Sequence, residues 1–153
     1  MKRTILILVL VMAAMAGQTF AQGGRPNIFA PPPTASGPVA DFANAIVAAF
    51  NKHDTAFFQK IVAPDAVWLD EDGHHMIATV WINRILAATP PRMLSITNLR
   101  VGGWGDTGWA GFNYVMQGTN MVKGTNSMLF KKTGNDWQVV LIHGAVDTAI
   151  VAH

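Results

Sequence analysis

The sequence predicts one α+β domain in which a curved, cone-shaped antiparallel sheet wraps around three helices of the N-terminal half. Two observations predict it. Helical spacing of apolar residues dominates as far as Ala88, and after Pro90-Pro91 only strand-like segments follow. Between these two regions, a helix ends at Ala63-Pro64-Asp65, and a short strand and an acidic turn follow it. The predicted order of elements is α-α-β-α-β-β-β-β.

Two helices come first. Pro38 suits the first turn of a helix, and the apolar positions after it recur at helical spacing: Val39, Phe42, Ala43, Ile46, Val47 and Phe50. Asp54 is the predicted cap of a second, shorter helix that runs through Val62. Pro64 ends that helix, because the residue before a proline is pushed out of helical geometry.

A strand, a turn and a third helix follow. Val67–Leu69 is apolar and short, and Asp72-Gly73 is a strong turn signal. The segment Thr79–Ala88 has a broad apolar surface and predicts a helix. Pro90-Pro91 ends it.

Four long strands complete the predicted fold. They are separated by glycine-rich and asparagine-rich turns, and their predicted ranges are Met93–Val101, Trp109–Gln117, Val122–Lys132 and Trp137–Val146. An antiparallel sheet with one wet face should be polar at every second position, yet these strands are mostly apolar on both faces. We therefore expect a ligand cavity on the concave side and a homodimer contact on the convex side.

The N-terminus reads as an export signal. Lys2 and Arg3 precede an apolar run from Ile5 to Ala16, and small residues at the end place the predicted cleavage after Ala21. The run has about 12 residues, against roughly 20 for a membrane span. The predicted organisation is a signal peptide over 1–21, a Pro/Gly-rich linker over 22–37 and one domain over 38–153. The expected location is periplasmic or secreted, with no membrane contact after cleavage; a retained anchor is the alternative.

Composition excludes two classes of function. Two of the 11 basic residues leave with the signal, so nine basic residues balance nine acidic ones in the mature chain. That balance gives no case for a nucleic-acid partner. With no cysteine, stability must come from an ordinary core, and a cysteine nucleophile is excluded.

The order of elements resembles the nuclear transport factor 2-like superfamily, in particular its SnoaL-like and ketosteroid isomerase-like branch. The resemblance rests on Phe50–Asp54, Ala63–Trp68, the Asp70 to Gly73 corner and Trp137–His143, and it covers the mature domain. It implies a cystatin-like roll with an apolar cavity. In that superfamily the cavity serves isomerases, cyclases, dehydratases, hydrolases and binding or assembly modules, so the fold alone leaves the chemistry open.

Asp70 is the first candidate for a catalytic residue. The resemblance implies that Asp70 occupies the position of the aspartate base of ketosteroid isomerases. Those enzymes are a standard example of carboxyl groups whose pKa is set by their surroundings. In strand geometry Trp68 and Asp70 share a face, so a cavity-facing Trp68 brings the carboxylate along. Desolvation beside indole would raise its pKa and suit it to proton transfer. The alternative is that Asp70, Glu71 and Asp72 form a solvated acidic turn.

The chain departs from the steroid isomerase pattern. Ile46 stands where the resemblance implies an oxyanion-hole tyrosine, and Met93–Val101 and Trp109–Gln117 contain no acid to replace the second donor. The available donors are Asn113, Asn126 and His143. His143 shares the parity of Trp137, Val139 and Leu141, which would aim its imidazole into the cavity if that face is concave. A structural histidine near the dimer contact is the alternative.

Other polar and aromatic residues have weaker signals. His74 and His75 are adjacent and would point to opposite faces of a strand, so no metal site is predicted. Trp104, Trp109 and Phe112 are either cavity-mouth or packing residues. Arg92 and Arg100 either receive an anionic substrate or lie on solvated sheet edges.

The sequence thus predicts a binder of a small apolar or cyclic molecule, without cofactor. The expected ligand-binding residues are Phe50, Trp68, Trp81, Trp109, Asn113 and Asn126, and Asp70 and His143 are the catalytic candidates. The first alternative is a cofactor-free isomerase, cyclase or dehydratase with Asp70 as general base. The second is an interaction module that acts through its convex sheet.

Overall fold

A computed structural model describes the backbone of residues 35–150 and the side chains of residues 35–147. The predicted signal peptide and most of the predicted linker lie outside the described residues. The helices are α1 (Pro38–Asn51), α2 (Thr55–Ile61) and α3 (Ala78–Leu86). The strands are β1 (Val62–Leu69), β2 (His75–Ile77), β3 (Met93–Trp104), β4 (Thr107–Gln117), β5 (Met121–Thr133) and β6 (Asp136–Ile150).

The six described strands form one curved sheet in the order β2-β1-β6-β5-β4-β3. Strands β3 to β6 are consecutive antiparallel neighbours, as predicted. Strand β1 lies parallel to β6, so the sheet is mixed and not purely antiparallel. Three helices against an open, curved sheet confirm the predicted α+β cone.

The helices begin and end for local reasons. Pro38 opens α1, and the Asp54 carboxylate caps α2 by accepting from the Phe57 N–H at 3.0 Å. Helix α2 ends at Ile61, and β1 starts at Val62, earlier than predicted. Pro64 fits in β1 because the pairing with β6 is interrupted between Val62 and Val67. None of the helices described here has the length and apolar character that a bilayer span requires.

Strand β2 is the element that the sequence did not predict. It has three residues, directly after the acidic turn, and it pairs with the end of β1 through Trp68 and Met76. A three-residue strand carries too little alternation to be recognised from sequence. It forms one edge of the sheet.

The core lies between the helices and the concave face of β4, β5 and β6. Phe130 on β5 and Val139 on β6 are the largest fully buried side chains, and Phe42 of α1 meets Phe130 edge to face at 5.0 Å between ring centroids. The Asn51 amide at the end of α1 bonds both backbone groups of Leu94, at 2.7 and 2.8 Å. This side chain therefore fixes the helix to β3.

A β-bulge interrupts the alternation of β6. Phe130 pairs with Val139 and Leu129 pairs with Leu141, which leaves Val140 as an extra residue. Val139 and Ile142 are consequently both buried, at 2% exposure each. Side chains after the bulge have the opposite parity from those before it.

Candidate functional site

A cavity of about 370 Å³ lies between the helices and the concave face of the sheet. One end is closed by buried side chains such as Phe58 and Val62, and the other is bordered by the exposed Glu71 and Val146. Its lining is mostly apolar: Ile46, Phe50, Phe58, Val62, Trp68, Trp81, Ile82, Ile85, Leu94, Phe112, Met116, Val122, Met128, Val139, Ile142, Gly144 and Val146, with Asp70, Glu71, Arg92, Tyr114 and Asn126 as polar members. Cavities of this size and character hold small molecules.

Three predicted ligand-binding aromatics line this cavity. Trp68 of β1 and Trp81 of α3 stack with ring centroids 5.1 Å apart and planes at 17°. Phe50 of α1 is 7% exposed and lies on the same cavity. The stacked indoles give the cavity a flat, rigid wall that suits a planar ligand.

The cavity also contains an unsatisfied polar position. Asn126 of β5 is 9% exposed, and its Oδ1 has no hydrogen-bond partner among the described residues. Trp68 Nε1 is likewise buried without an acceptor. Both side chains flank Gly144 of β6: a Cβ placed on that glycine would lie 3.5 Å from Asn126 Nδ2 and 3.7 Å from Trp68 Nε1. An indole donor and a rotatable amide thus converge where the opposite strand has no side chain.

Asp70 lines the cavity but is held by its own turn. Its Oδ1 accepts from the backbone N–H groups of Asp72 and His74, at 3.1 and 2.8 Å, and its Oδ2 lies 3.0 Å from His74 Nδ1. Desolvation raises the pKa of Asp70, but the hydrogen bonds from His74 and Asp72 and the nearby His74 charge together lower the pKa below its ordinary 3.8. This direction is opposite to the one expected from the sequence, because the backbone donors favour the charged form.

The stability of the fold should therefore depend on the charge of Asp70. A pKa lowered by folding contributes stability above the unfolded value, and that stability is lost as the pH falls through the folded pKa. Asp70→Asn keeps a side-chain acceptor for the turn but removes the charge. We expect the variant to melt below wild type at neutral pH and to converge with it in strong acid, as measured by thermal unfolding across the acid range. Asp72→Asn is the control, and parallel curves for wild type and Asp70→Asn would contradict the expectation.

Two of the lining residues that the sequence did not assign to the site bear on its chemistry. Tyr114 of β4 lines the cavity, and burial, with the negative charges of Glu71 and Asp147 adding to it, raises the pKa of its phenol. Gly144 of β6 forms the floor between Asn126 and Trp68. The alternation of Phe112, Tyr114 and Met116 in the sequence was a usable signal for the tyrosine.

Three predicted site residues lie on the outer face of the sheet instead. His143 is exposed, because the bulge at Val140 breaks the alternation from which its direction was predicted. Asn113 and Trp109 are exposed because they alternate with the cavity-side Phe112. Asn113 borders an outer groove with Asn98 and other residues of β3 to β5. None of the three lines the cavity.

No group of three or more histidine or acidic side chains that would suit a metal ion occurs within residues 35–147. His74 and His75 are both exposed beside the acidic turn. The polar chemistry of the cavity is therefore supplied by Asp70, Glu71, Arg92, Tyr114 and Asn126.

The described fold and cavity agree with a family assignment. The family model described as the SnoaL-like domain matches residues 39–148, which is most of the chain. The chain belongs to the SnoaL-like domain family. This family lies within the nuclear transport factor 2-like superfamily, as the resemblance predicted. A search of curated proteins gave no match to this SnoaL-like chain.

Solved structures share the fold at low sequence identity. An NTF2-like protein of unknown function in nutrient uptake from Rhodospirillum rubrum matches with a TM-score of 0.63 at 15% identity, over 73% of this chain and 100% of that one. The CaMKII hub of S. rosetta matches with 0.62 at 15% identity, over 73% and 98%. Hexachlorocyclohexane dehydrochlorinase LinA-type3 from Novosphingobium barchaimii matches with 0.60 at 12% identity, over 72% and 85%. The neighbours of this SnoaL-like chain thus include a dehydrochlorinase and a CaMKII hub.

Proposed function

We propose that this SnoaL-like protein binds a small, flat, largely apolar molecule that carries a hydroxyl group. The observation that carries the proposal is Asn126 Oδ1, an acceptor without a partner on a side chain that is nine-tenths buried, beside the unpartnered Trp68 N–H in an apolar cavity. A buried polar group without a partner costs about 1–3 kcal/mol. A ligand hydroxyl that donates to Asn126 Oδ1 and accepts from Trp68 Nε1 would remove that cost, and the apolar wall supplies the rest of the affinity.

The shape of the cavity supports a planar ligand body. The stacked Trp68 and Trp81 present a flat surface on one side. Phe112 and Met128 from the sheet lie on the same cavity. An aromatic or fused-ring compound buries its faces against such a wall and keeps one oxygen for the Asn126 end.

Proton transfer by Asp70 is the second candidate function, in the form of a cofactor-free isomerase, cyclase or dehydratase. One observation favours it, since the Asp70 carboxylate lies on the cavity. However, the same carboxylate already accepts hydrogen bonds from two backbone N–H groups and contacts the His74 ring. Its lowered pKa also makes it a weaker base for proton abstraction. His143 on the outer face supplies no second group to the cavity. Binding is therefore the function that the geometry supports best.

Two further predictions from the sequence concern assembly and location. The outer face exposes Trp104 and Trp109, at 67% and 38%, which is consistent with a homodimer contact or an interaction surface on that side. Export to the periplasm or medium rests on the predicted signal peptide at residues 1–21. Both stay predictions about the mature SnoaL-like domain.

Fluorescence titration tests the binding proposal. N-phenyl-1-naphthylamine is neutral and brightens in apolar cavities, so it reports occupancy directly. Competing 2-naphthalenemethanol and 2-ethylnaphthalene then differ only in a hydroxyl in place of a methyl group. We expect the alcohol to bind wild type about tenfold more tightly, and Asn126→Leu to remove most of that preference while still binding the reporter.

The control is Asn113→Leu, which makes the same change on the outer face and should leave the preference for the alcohol unchanged. Absence of any saturable reporter signal with folded wild-type protein would overturn the binding proposal. Equal affinity of the two competitors would overturn the role of Asn126.

A further inference from the structure

A second, smaller pocket adjoins the main cavity. It has a volume of about 110 Å³ and is lined by Arg92, Met116, Thr119, Asn120 and Val122. We call it the side pocket. Three of its five residues, Arg92, Met116 and Val122, also line the main cavity. The two spaces therefore share a wall, and a ligand in the main cavity can extend into the side pocket.

Arg92 is held at this junction by the turn between β4 and β5. A Cβ placed on Gly118 would lie 3.2 Å from Arg92 Cγ and 3.9 Å from its Nε, so the aliphatic stem runs over that glycine. The side chain is half-buried. It forms no ion pair with any described side chain. The ion pair found among the described residues joins His74 and Asp70. The guanidinium of this half-buried arginine has no counter-charge among the described side chains, which favours an anionic partner.

We infer that the ligand of the main cavity carries a carboxylate, and that Arg92 binds this group in the side pocket. The inference rests on the proposed binding function and specifies its ligand class. A planar guanidinium matches a carboxylate with two parallel hydrogen bonds. The Thr119 hydroxyl and the Asn120 amide, which line the same pocket, supply further donors.

The charges around the main cavity favour the side pocket as the place for an anionic group. Asp70 and Glu71 line the main cavity but not the side pocket. Their negative charges repel a carboxylate, whereas the Arg92 guanidinium attracts it. The side pocket is also large enough, because its volume is several times the roughly 10–15 Å³ that one water molecule requires.

Displacement of N-phenyl-1-naphthylamine tests the inference with two matched competitors. 2-Naphthoate and 2-naphthamide share the ring system and differ in charge. We expect wild type to bind the naphthoate at least about tenfold more tightly than the amide. Arg92→Gln should remove this preference and leave the affinity for the amide within about twofold, because the amide has no charge to lose. Arg92→Lys should retain part of this preference, because lysine keeps the positive charge but lacks the planar guanidinium that forms two parallel hydrogen bonds.

Arg100→Gln is the control, since Arg100 is exposed and borders the outer groove. It should change neither affinity. Equal displacement by both competitors in wild type would overturn the carboxylate inference while the reporter signal still supports the cavity. Parallel loss of both affinities in Arg92→Gln would assign Arg92 a structural role and overturn the inference as well. A reporter that does not bind at all would remove the proposed function itself, and the inference with it.

Discussion

Gly144→Leu should close the cavity and weaken binding of N-phenyl-1-naphthylamine by about 100-fold or more, while the protein stays folded. An added Cβ meets only Asn126 Nδ2 and Trp68 Nε1 within 4 Å, both at ordinary contact distance, and the backbone of Gly144 is not in the left-handed region. The rest of the leucine side chain then projects into the space that a ligand would occupy. A 100-fold loss of affinity corresponds to about 3 kcal/mol of binding free energy.

The matched control for Gly144→Leu is Gly111→Leu on β4. A Cβ on Gly111 would meet Asn126 O at 3.9 Å and Ser127 Oγ at 4.0 Å, and Gly111 borders the outer groove and not the cavity. This control should bind the reporter as wild type does. A folded Gly144→Leu protein, verified by circular dichroism, that binds the reporter with wild-type affinity would show that the ligand lies elsewhere.

Phe130→Ala should lower the free energy of unfolding by about 3–5 kcal/mol, a large part of the 5–15 kcal/mol typical of a domain. Phe130 is fully buried and meets Phe42 edge to face, so truncation leaves a void between α1 and the sheet. It also pairs with Val139 next to the bulge of β6. Equilibrium urea unfolding measures the change.

Leu129→Ala is the control for Phe130→Ala, because Leu129 is only partly buried and its truncation should cost less. Phe130→Leu serves if the alanine variant does not accumulate, and about half the destabilisation is then expected. A loss below about 1 kcal/mol for Phe130→Ala would contradict its place at the centre of the core.

The parts of the fold predicted from sequence are those in which local chemistry and periodicity agree. Asp54 caps α2 as its position predicts, and Pro38 opens α1. Strand β2 was missed because three residues carry no period, and the parallel pairing of β1 with β6 was missed because it is a long-range contact. Sequence alternation describes one strand at a time and does not say which strand becomes its neighbour.

The candidate site likewise contains residues that the sequence predicts and residues that it does not. Phe50, Trp68 and Trp81 line the cavity because they are large and lie on apolar faces, which the sequence displays. Asn113 was considered for its donor chemistry, although the alternation of β4 favours Tyr114 as the inward residue. Asn126 alternates with Met128 and Phe130, and it does line the cavity.

The direction of His143 could not be predicted, because a bulge depends on the partner strand. Counting forward from Val139 in steps of two gives the wrong face for His143, because Val140 is an extra residue. Similarly, the pKa of Asp70 depends on backbone donors from a turn whose geometry no composition rule provides. The direction of His143 and the pKa of Asp70 both depend on residues that are neighbours in the folded structure, and the type of the residue itself does not determine them.

The extra residue at Val140 has a consequence for comparing chains of different length. Since Leu129 already pairs with Leu141 and Phe130 with Val139, a chain without Val140 would keep Ile142 and Gly144 on the cavity side and straighten the strand. A residue removed at Gly144 instead would turn the following side chains over. An alignment with a relative that is one residue shorter between Val139 and Gly144 should therefore place the gap at Val140. A gap placed elsewhere would match cavity-lining residues with residues of the outer face.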